Sequence, residues 1–583
     1  VPAFFDPPSF DASRILYEDE DLIVVDKPEG VPSQSADPTQ PDDLVYRLSR
    51  FLAERAGKTG RAYLGVHQRL DQDTSGVILY AKRKEANAGL ARQLEGRSVE
   101  KRYVACVEGW RGGDRRLEHR LARGDDGRTH VASPHDRRAQ QALSHVRVLE
   151  RSGARTLLEV RIETGRTHQI RAQLAAEGAP VIGDRLYGGA PASRLFLHAR
   201  SIALAHPTRG TPLVVEAPPP AGFAPEIAHA VGTRWATMDE PFELVLARAV
   251  ERRWGLAHRA ARADDRTSAY RVLDGDGEGA PGLAVDAYDR WLVAHLYADE
   301  VEQRLEPVLD ALTKLGARGV YVKHRPRQAN VIVDGRAEDF APSLPTRGEP
   351  APEPLVIHEN GVPYLVRLGE GLSTGIFLDQ RENRRRVREL AKGARVLNLF
   401  AYTCAFTVSA AAGGARETLS IDASARLLEW GRENLAHAGL LGDAHRFEVG
   451  DVFDALARLA RERQRFELVC LDPPTYSTTR SSRWASGKDW ARLAALTLAV
   501  LAPGGRLLAC SNDRRMRLGA FRKHLHEGAR AAHVSIAQMK DLPCPADFPA
   551  PFDREPHLKS VLVTTAPSRA SAAPRRGRPR ADR

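Results

Sequence analysis

The sequence predicts a multidomain chain. An α+β unit comes first, a small α+β unit follows, and an α/β unit with a doubly wound, Rossmann-like parallel sheet comes last. Three observations predict this. The 583 residues suffice for about three or four domains at roughly 100–200 residues each. Two Pro-rich stretches, 216–241 and 338–356, interrupt the pattern, because proline fixes φ and removes a backbone donor. The hydrophobic rhythm also changes at each of them.

Before the first break, short apolar runs at 21–25, 77–80 and 104–107 alternate with turn signals, which predicts strands of a mixed domain. Between the breaks, strands at 291–296 and 319–322 flank a helical pattern over 302–315. After the second break, strands at 395–400, 418–421, 468–471 and 506–510 alternate with amphipathic helices, the mark of a parallel sheet. From Pro567 the sequence PSRASAAPRRGRPRADR has no apolar period and reads as a disordered basic tail. The expected domains are therefore 1–235, 236–345 and 346–566, with a tail over 567–583.

Composition narrows the function. Hydrophobic residues make up 42% and aromatics 6%, enough for ordinary globular cores. No apolar run approaches the roughly 18 residues of a membrane span, and the start VPAFFDPPSF has no basic leader. The five cysteines, Cys106, Cys404, Cys470, Cys510 and Cys544, are scattered without a C-x-x-C pair. That pattern suggests neither a disulfide framework nor a thiolate zinc site. A cytoplasmic chain with no membrane and no metal is expected. The net charge of +11 suits either a polyanionic partner or a solubilising surface.

The segment HQRLDQDTSG at 67–76 sets Asp71 beside Arg69 and ahead of a Thr-Ser-Gly turn. A carboxylate near a fixed guanidinium stays ionised, as a nucleophile must; the same pair also serves as a structural ion pair in a turn. Three further segments decide between these. They are YEDEDLIVVDKPEGVP at 17–32, KRYVACVEG at 101–109 and ETGRTHQIRAQLAAEGAPVIGDRLYG at 163–188. With FLHARSIALAHP at 196–207, the set resembles the RluA-type pseudouridine synthases over nearly all of 10–220.

The resemblance implies a cofactor-free isomerisation of uridine in RNA. Asp71 would attack the nucleoside, the glycosidic bond would break, the base would turn, and carbon 5 would rejoin the sugar. Tyr103 would stack on the base and handle a proton, Arg166 would hold Asp71 ionised, and Arg69 would help hold the flipped-out base position. Gln68 separates His67 from Arg69 where the family reads His-Arg-Leu-Asp, which removes a clear role from His67. His67 and His168 have no third partner for a metal.

In the C-terminal half, VLNLFAYTCAFT at 396–407 precedes a helix and then LSIDAS at 419–424. A strand, a tight loop, a helix and an acid ending the next strand describe a nucleotide-type pocket, with Asp422 on ribose hydroxyls. VGDVFD at 449–454 and LVCLDPPTYS at 468–477 add acids and a Pro-Pro-aromatic face that suits a planar base. With TGIFLDQRENRR at 374–385, these segments resemble class I rRNA methyltransferases of the large-subunit family, which use S-adenosylmethionine (SAM). The likeness covers about 245–565 and includes TSAYRVLDGDGEGAPGLAVDAY at 267–288, matching that family's accessory domain. The same run mimics a calcium loop, but Val285 stands where a bidentate Glu is needed.

The resemblance implies that Phe377, Asp379 and Arg381 help enclose SAM, with Asn398 and Phe400 in the same pocket. Asp422 would take its ribose and Asp451 its adenine, while Asp472, Pro473, Pro474 and Tyr476 would face the target base. Cys404 departs from the family's usual glycine, so its side chain is expected to crowd the cofactor or to demand a different φ.

Chemistry separates two methyl targets. Carbon 5 of cytosine needs a thiolate to add at carbon 6, whereas a guanine ring nitrogen has its own lone pair and mainly needs positioning. In GGRLLACSNDRRMRL at 504–518, Cys510 is a candidate thiol, but the cytosine branch places its cysteine where Asn512 sits. Ser-Asn with a following Arg looks more like the N7-guanine branch, and Cys470 reads as core. The expected protein is a bifunctional rRNA-modifying enzyme acting on 23S rRNA or a pre-ribosomal particle. The alternatives are cytosine-C5 methylation, or a non-catalytic RNA-binding assembly module.

Overall fold

The computed structural model describes residues 10–34, 43–124, 128–133, 135–192, 194–220, 223, 241–253, 255–256, 266–325, 337–478, 483–550 and 554–567. Most of the first Pro-rich break and the tail beyond Pro567 lie outside the described residues. The chain divides into two compact units. One comprises Val1–Ala261 with Val272–Val285 and Leu296–Val320; the other comprises Arg262–Arg271, Asp286–His295 and Tyr321–Arg583.

The first unit carries an eleven-stranded, mostly antiparallel sheet. Its centre runs Leu22–Lys27, Ser75–Ala81, Leu197–Ala205, Glu100–Glu108 and Arg155–Ile162. Each of the three expected apolar runs falls on one of these strands, the first beginning one residue later than expected. Ser75–Ala81 is buried along its whole length, because it lies mid-sheet with packing on both faces. It pairs in parallel with Leu197–Ala205, through His198 with Ser75 and Ala199 with Gly76. Tyr103 is in turn the partner of Ala199. Gly76 sits at φ +111°, and a Cβ there would lie 2.2 Å from the Ala199 carbonyl oxygen, so only glycine lets these strands meet.

The middle block forms a five-stranded sheet that includes Trp291–Leu296 and Gly319–His324. Its expected helix is present as Leu305–Thr313, and a separate single turn, Asp299–Glu302, precedes it. Pro307 has no N–H to continue that turn but fits the opening of the helix, where that donor would go unused.

The C-terminal unit holds a seven-stranded sheet in the order His445–Val449, Glu417–Asp422, Arg395–Leu399, Phe466–Leu471, Leu501–Ser511, Lys559–Thr565, Ile536–Leu542. The first five are parallel, and Lys559–Thr565 runs antiparallel to both its neighbours. The chain order reverses at Arg395–Leu399, which leaves a crevice at the carboxyl ends of the strands. The four expected strands are all present. The last begins earlier than expected, at Leu501, where a register shift admits the Gly504 turn.

The loop after Arg395–Leu399 takes an uncommon path. Phe400, Tyr402 and Cys404 all adopt left-handed φ, at +55°, +51° and +60°. Such conformations strain a residue with a Cβ, and here tertiary contacts hold them. The fully buried Cys404 side chain fits against Gly431 in the helix Ala425–His437: a Cβ on Gly431 would lie 2.5 Å from Cys404 Sγ. Of the two expectations for Cys404, the altered φ is realised. The crowding of the pocket is not, because the thiol turns toward that helix. Gly431→Ala should therefore cost about 1–3 kcal/mol through overpacking, read as a shift in the urea midpoint. Adding Cys404→Gly should recover most of the loss, since it removes both the clash and the strained φ.

Candidate active sites

In the first unit, the loop around Asp71 is clamped on both sides. Ser33 Oγ accepts from the Leu70 N–H at 2.9 Å and donates to the Leu70 carbonyl at 2.7 Å. The fully buried Lys27 donates to the carbonyls of Pro28, Val31 and Gln72 at 2.8, 2.6 and 2.7 Å. Burial lowers its pKa to about 7. Beyond the loop, Ser75 Oγ meets His198 Nδ1 at 2.9 Å and accepts from Arg194 at 2.8 Å. Backbone and side-chain bonds thus fix the half-buried Asp71 from neighbouring elements.

Arg171 holds the Asp71 carboxylate. Its Nη1 donates to Asp71 Oδ2 at 3.0 Å, while Nε and Nη2 fork onto Asp184 at 2.7 and 2.9 Å. The Tyr187 ring lies 5.2 Å from the same guanidinium. His168 Nε2 stands 3.9 Å from Asp71 Oδ2, and burial lowers its pKa. Tyr103 projects from Glu100–Glu108, and burial with the nearby Asp71 charge raises its hydroxyl pKa, so it keeps its proton at neutral pH. Arg69 is exposed, next to the loop.

The expectation that Arg166 holds Asp71 is corrected. Arg166 Nε donates to the Gln141 carbonyl at 3.2 Å, and Arg171 makes the contact instead. Both arginines lie in the GRTHQIR string. The helix begins at Gln169, so Arg166 stays in the loop before it while Arg171 is on a turn facing Asp71. Helix-start placement is the signal that would have separated them.

In the C-terminal unit, a cleft of about 370 Å³ opens at the ends of the parallel strands. Phe377, Asp379, Phe400, Asp422, Asp451, Asp472, Pro473 and Pro474 line it, as expected from sequence. Asp422 ends its strand and accepts from the Tyr402 and Ser424 N–H groups, both at 2.9 Å. Burial nonetheless raises its pKa. Asp451 caps the next helix by accepting from the Phe453 N–H at 2.8 Å. Phe377 and Tyr402 approach with ring centroids 5.2 Å apart, and Phe377 is 50% exposed, open to a further ring.

Asp472 follows the strand Phe466–Leu471 and accepts from Gln380 Nε2 at 2.8 Å. Burial and the neighbouring Asp379 charge raise its pKa to about 7. Asp379 is bound by His557 at 2.9 Å. Across the mouth, Thr475 Oγ1 donates to Asn512 Oδ1 at 2.8 Å, which leaves the Asn512 amide N–H groups for the cleft.

Three expected residues stand elsewhere. Arg381 is buried and forks onto Asp547 at 2.9 and 2.5 Å, outside the cleft wall. Asn398 is buried mid-strand and donates to Thr407 at 2.9 Å, below the cleft floor. Tyr476 is 52% exposed and is not part of the lining. In Arg381's place the wall has Arg384, whose guanidinium grips Glu359 at 2.7 and 2.6 Å and the Phe377 carbonyl at 2.8 Å. Arg384 sits three residues further along the same helix, and only the helix's rotation against the sheet decides which one faces the cleft.

The donor set fits a nucleoside cofactor. Two carboxylates end adjacent strands, where a ribose diol and an exocyclic amine, both donors, would pair with them. A diol donating to Asp422 would also offset its desolvation. Among the described residues, no group of three or more His, Cys, Asp or Glu is placed to hold a metal, and no helix is long and apolar enough to cross a membrane.

Comparison with known proteins finds a matching family model in each half of the chain. The family model described as RNA pseudouridylate synthase matches residues 21–176. The one described as S-adenosylmethionine-dependent methyltransferase matches residues 271–564, half of the chain. YwbD of Bacillus subtilis is 33% identical over 302 residues, which cover 51% of this chain and 74% of YwbD. Ribosomal RNA large subunit methyltransferase I of Aeromonas salmonicida is 31% identical over 301 residues, 50% of this chain and 74% of its own. A solved structure of human RNA Pseudouridylate Synthase Domain Containing 4 is 24% identical with a TM-score of 0.32, covering 37% of this chain and 91% of that one. The chain belongs to the S-adenosylmethionine-dependent methyltransferase family and carries an RNA pseudouridylate synthase domain in its N-terminal half.

Proposed function

We propose that this chain modifies ribosomal RNA twice, converting uridine to pseudouridine in its N-terminal half and methylating guanine N7 in its C-terminal half. The substrate class rests on the relatives' names, and 23S rRNA or a pre-ribosomal particle in the cytoplasm is the partner we assign. The working domains are 1–235, 236–345 and 346–566, with a tail over 567–583.

In the first half, Asp71 is the group that reacts with the nucleoside. Arg171 keeps its carboxylate paired, and Asp184 holds Arg171 in place. Tyr103, protonated at neutral pH, stacks on the base, and the exposed Arg69 helps hold the vacated position in the RNA. Asp71→Asn should abolish pseudouridine formation, measured by chemical mapping of the RNA, while methyl transfer continues. Arg171→Gln should lower the isomerisation rate by roughly a hundredfold or more, because it unpairs two carboxylates at once. Equal losses from Arg166→Gln and Arg171→Gln would contradict this assignment.

In the second half, SAM supplies an electrophilic methyl group when bound. Asp422 and Asp451 would hold its ribose and adenine, and Phe377 would cover it. One observation carries the N7 reading: Cys510 is fully buried outside the cleft lining, and Asn512 stands at the mouth. The thiol lies 3.7 Å from Gln380 Oε1, and burial pushes its pKa well up, so it is not poised as a thiolate. The Asn512 amide donors suit the O6 of a guanine whose N7 lone pair takes the methyl group. Cys510→Ala should therefore retain methyl transfer, and nucleoside mass spectrometry should find 7-methylguanosine; loss of activity with 5-methylcytidine in the wild-type product would favour the cytosine reading.

Methylation at N7 leaves a positive charge on the base, which an ionised Asp472 would stabilise. Asp472 is neutral below its raised pKa and charged above it. The single-turnover methyl-transfer rate should therefore climb with pH through a midpoint at about 7 and level off above it. Asp379→Asn removes a neighbouring negative charge and should move the midpoint to lower pH.

A further inference from the structure

The N-terminal half has a second cavity, of about 240 Å³, that the isomerisation chemistry leaves unused. Its lining brings together Arg97, Lys101 and Arg166 with two carboxylates, Glu95 and Glu163. The cations come from three separate places. Arg97 is in the turn after the helix Glu85–Glu95, held in left-handed φ at +56°. Lys101 is on the strand Glu100–Glu108, and Arg166 is in the loop before the helix Gln169–Ala176.

These charges are largely uncommitted. Among the described residues, the side chains of Arg97 and Lys101 have no hydrogen bond or ion pair, and Arg166 engages only its Nε, on Gln141. Glu163 is already taken, by His145 at 2.5 Å and Arg161 at 3.9 Å. Glu95 is the other carboxylate in the lining. Desolvation lowers the Lys101 pKa with no opposing charge to restore it. A desolvated, unpaired ammonium is costly, and an incoming anion would relieve that cost.

The place of the cavity suggests the anion. Lys101 and Tyr103 are two apart on one strand, so they share a sheet face about 7 Å apart. Arg166 precedes by five residues the arginine that holds Asp71. We propose that Arg97, Lys101 and Arg166 form a subsite for a backbone phosphodiester of the RNA strand that carries the target uridine. This rests on the pseudouridine reading above and adds to it the groups that hold the strand.

The test uses the full chain and a single-stranded RNA oligonucleotide that the wild-type chain isomerises. Its Kd is measured against NaCl concentration by fluorescence anisotropy for Lys101→Met, Arg97→Gln and Arg166→Gln. Each variant should bind roughly tenfold more weakly at 0.1 M salt. Each should also flatten the slope of log K against log salt by about 0.7 per lost phosphate contact. Arg97 is exposed, so its variant keeps the test open should Lys101→Met misfold. Unchanged Kd and slope in folded Arg97→Gln and Arg166→Gln would overturn the subsite. Absence of pseudouridine from the wild-type reaction would instead overturn the reading on which it rests.

Discussion

The Arg171 guanidinium forks onto the fully enclosed Asp184 carboxylate and reaches with its remaining nitrogen to Asp71. A charge removed from water must be paired, and this pairing orders the surroundings of Asp71. Removing one partner of such a pair costs about 3–5 kcal/mol, so the geometry is held more firmly than a neutral hydrogen bond would hold it. The C-terminal cleft depends on the same constraint. Arg384 with Glu359, and Arg381 with Asp547, are buried forks that fix the helix Arg381–Leu390 behind the cofactor cleft.

The two sites place their carboxylates in different surroundings. Asp71 lies beside the Arg171 guanidinium, which Asp184 locks in place. Asp472 lies in a drier place beside Asp379, and its pKa rises to about 7. A nucleophile in the first site must be charged before the substrate arrives. In the second, charge is useful as the methylated base becomes cationic. The environments match these two proposed tasks.

Much of the fold was legible in the sequence, because hydrophobic rhythm reports burial directly. Ser75–Ala81 is apolar along its length and is buried on both faces. The alternation of strands and helices after residue 390 corresponds to a parallel sheet whose strand ends hold Asp422 and Asp472. Less legible were the edge strand His445–Val449 and the strands Ile536–Leu542 and Lys559–Thr565. The first two are only partly buried, so their periodicity is faint. The third is buried, and it pairs with Ile536–Leu542 before it in the chain as well as with Leu501–Ser511.

Motifs singled out Asp422, Asp451 and Asp472, which line the C-terminal cleft, because the strand ends and tight turns that hold them are local in sequence. Which neighbour serves within a motif is not local. Arg171 rather than Arg166 meets Asp71, and Arg384 rather than Arg381 lines the cofactor cleft, because helix onset and rotation select the facing residue. Cys404 depends on a residue 27 positions away, since Gly431 makes the room that lets a non-glycine side chain occupy the loop. The sequence by itself determined the two chemistries, the order of the units and the acids at the strand ends, all carried by short-range patterns. Only the tertiary structure decided which arginines pair with which carboxylates, and where uncommitted cations gather, because buried charges choose partners by distance in space.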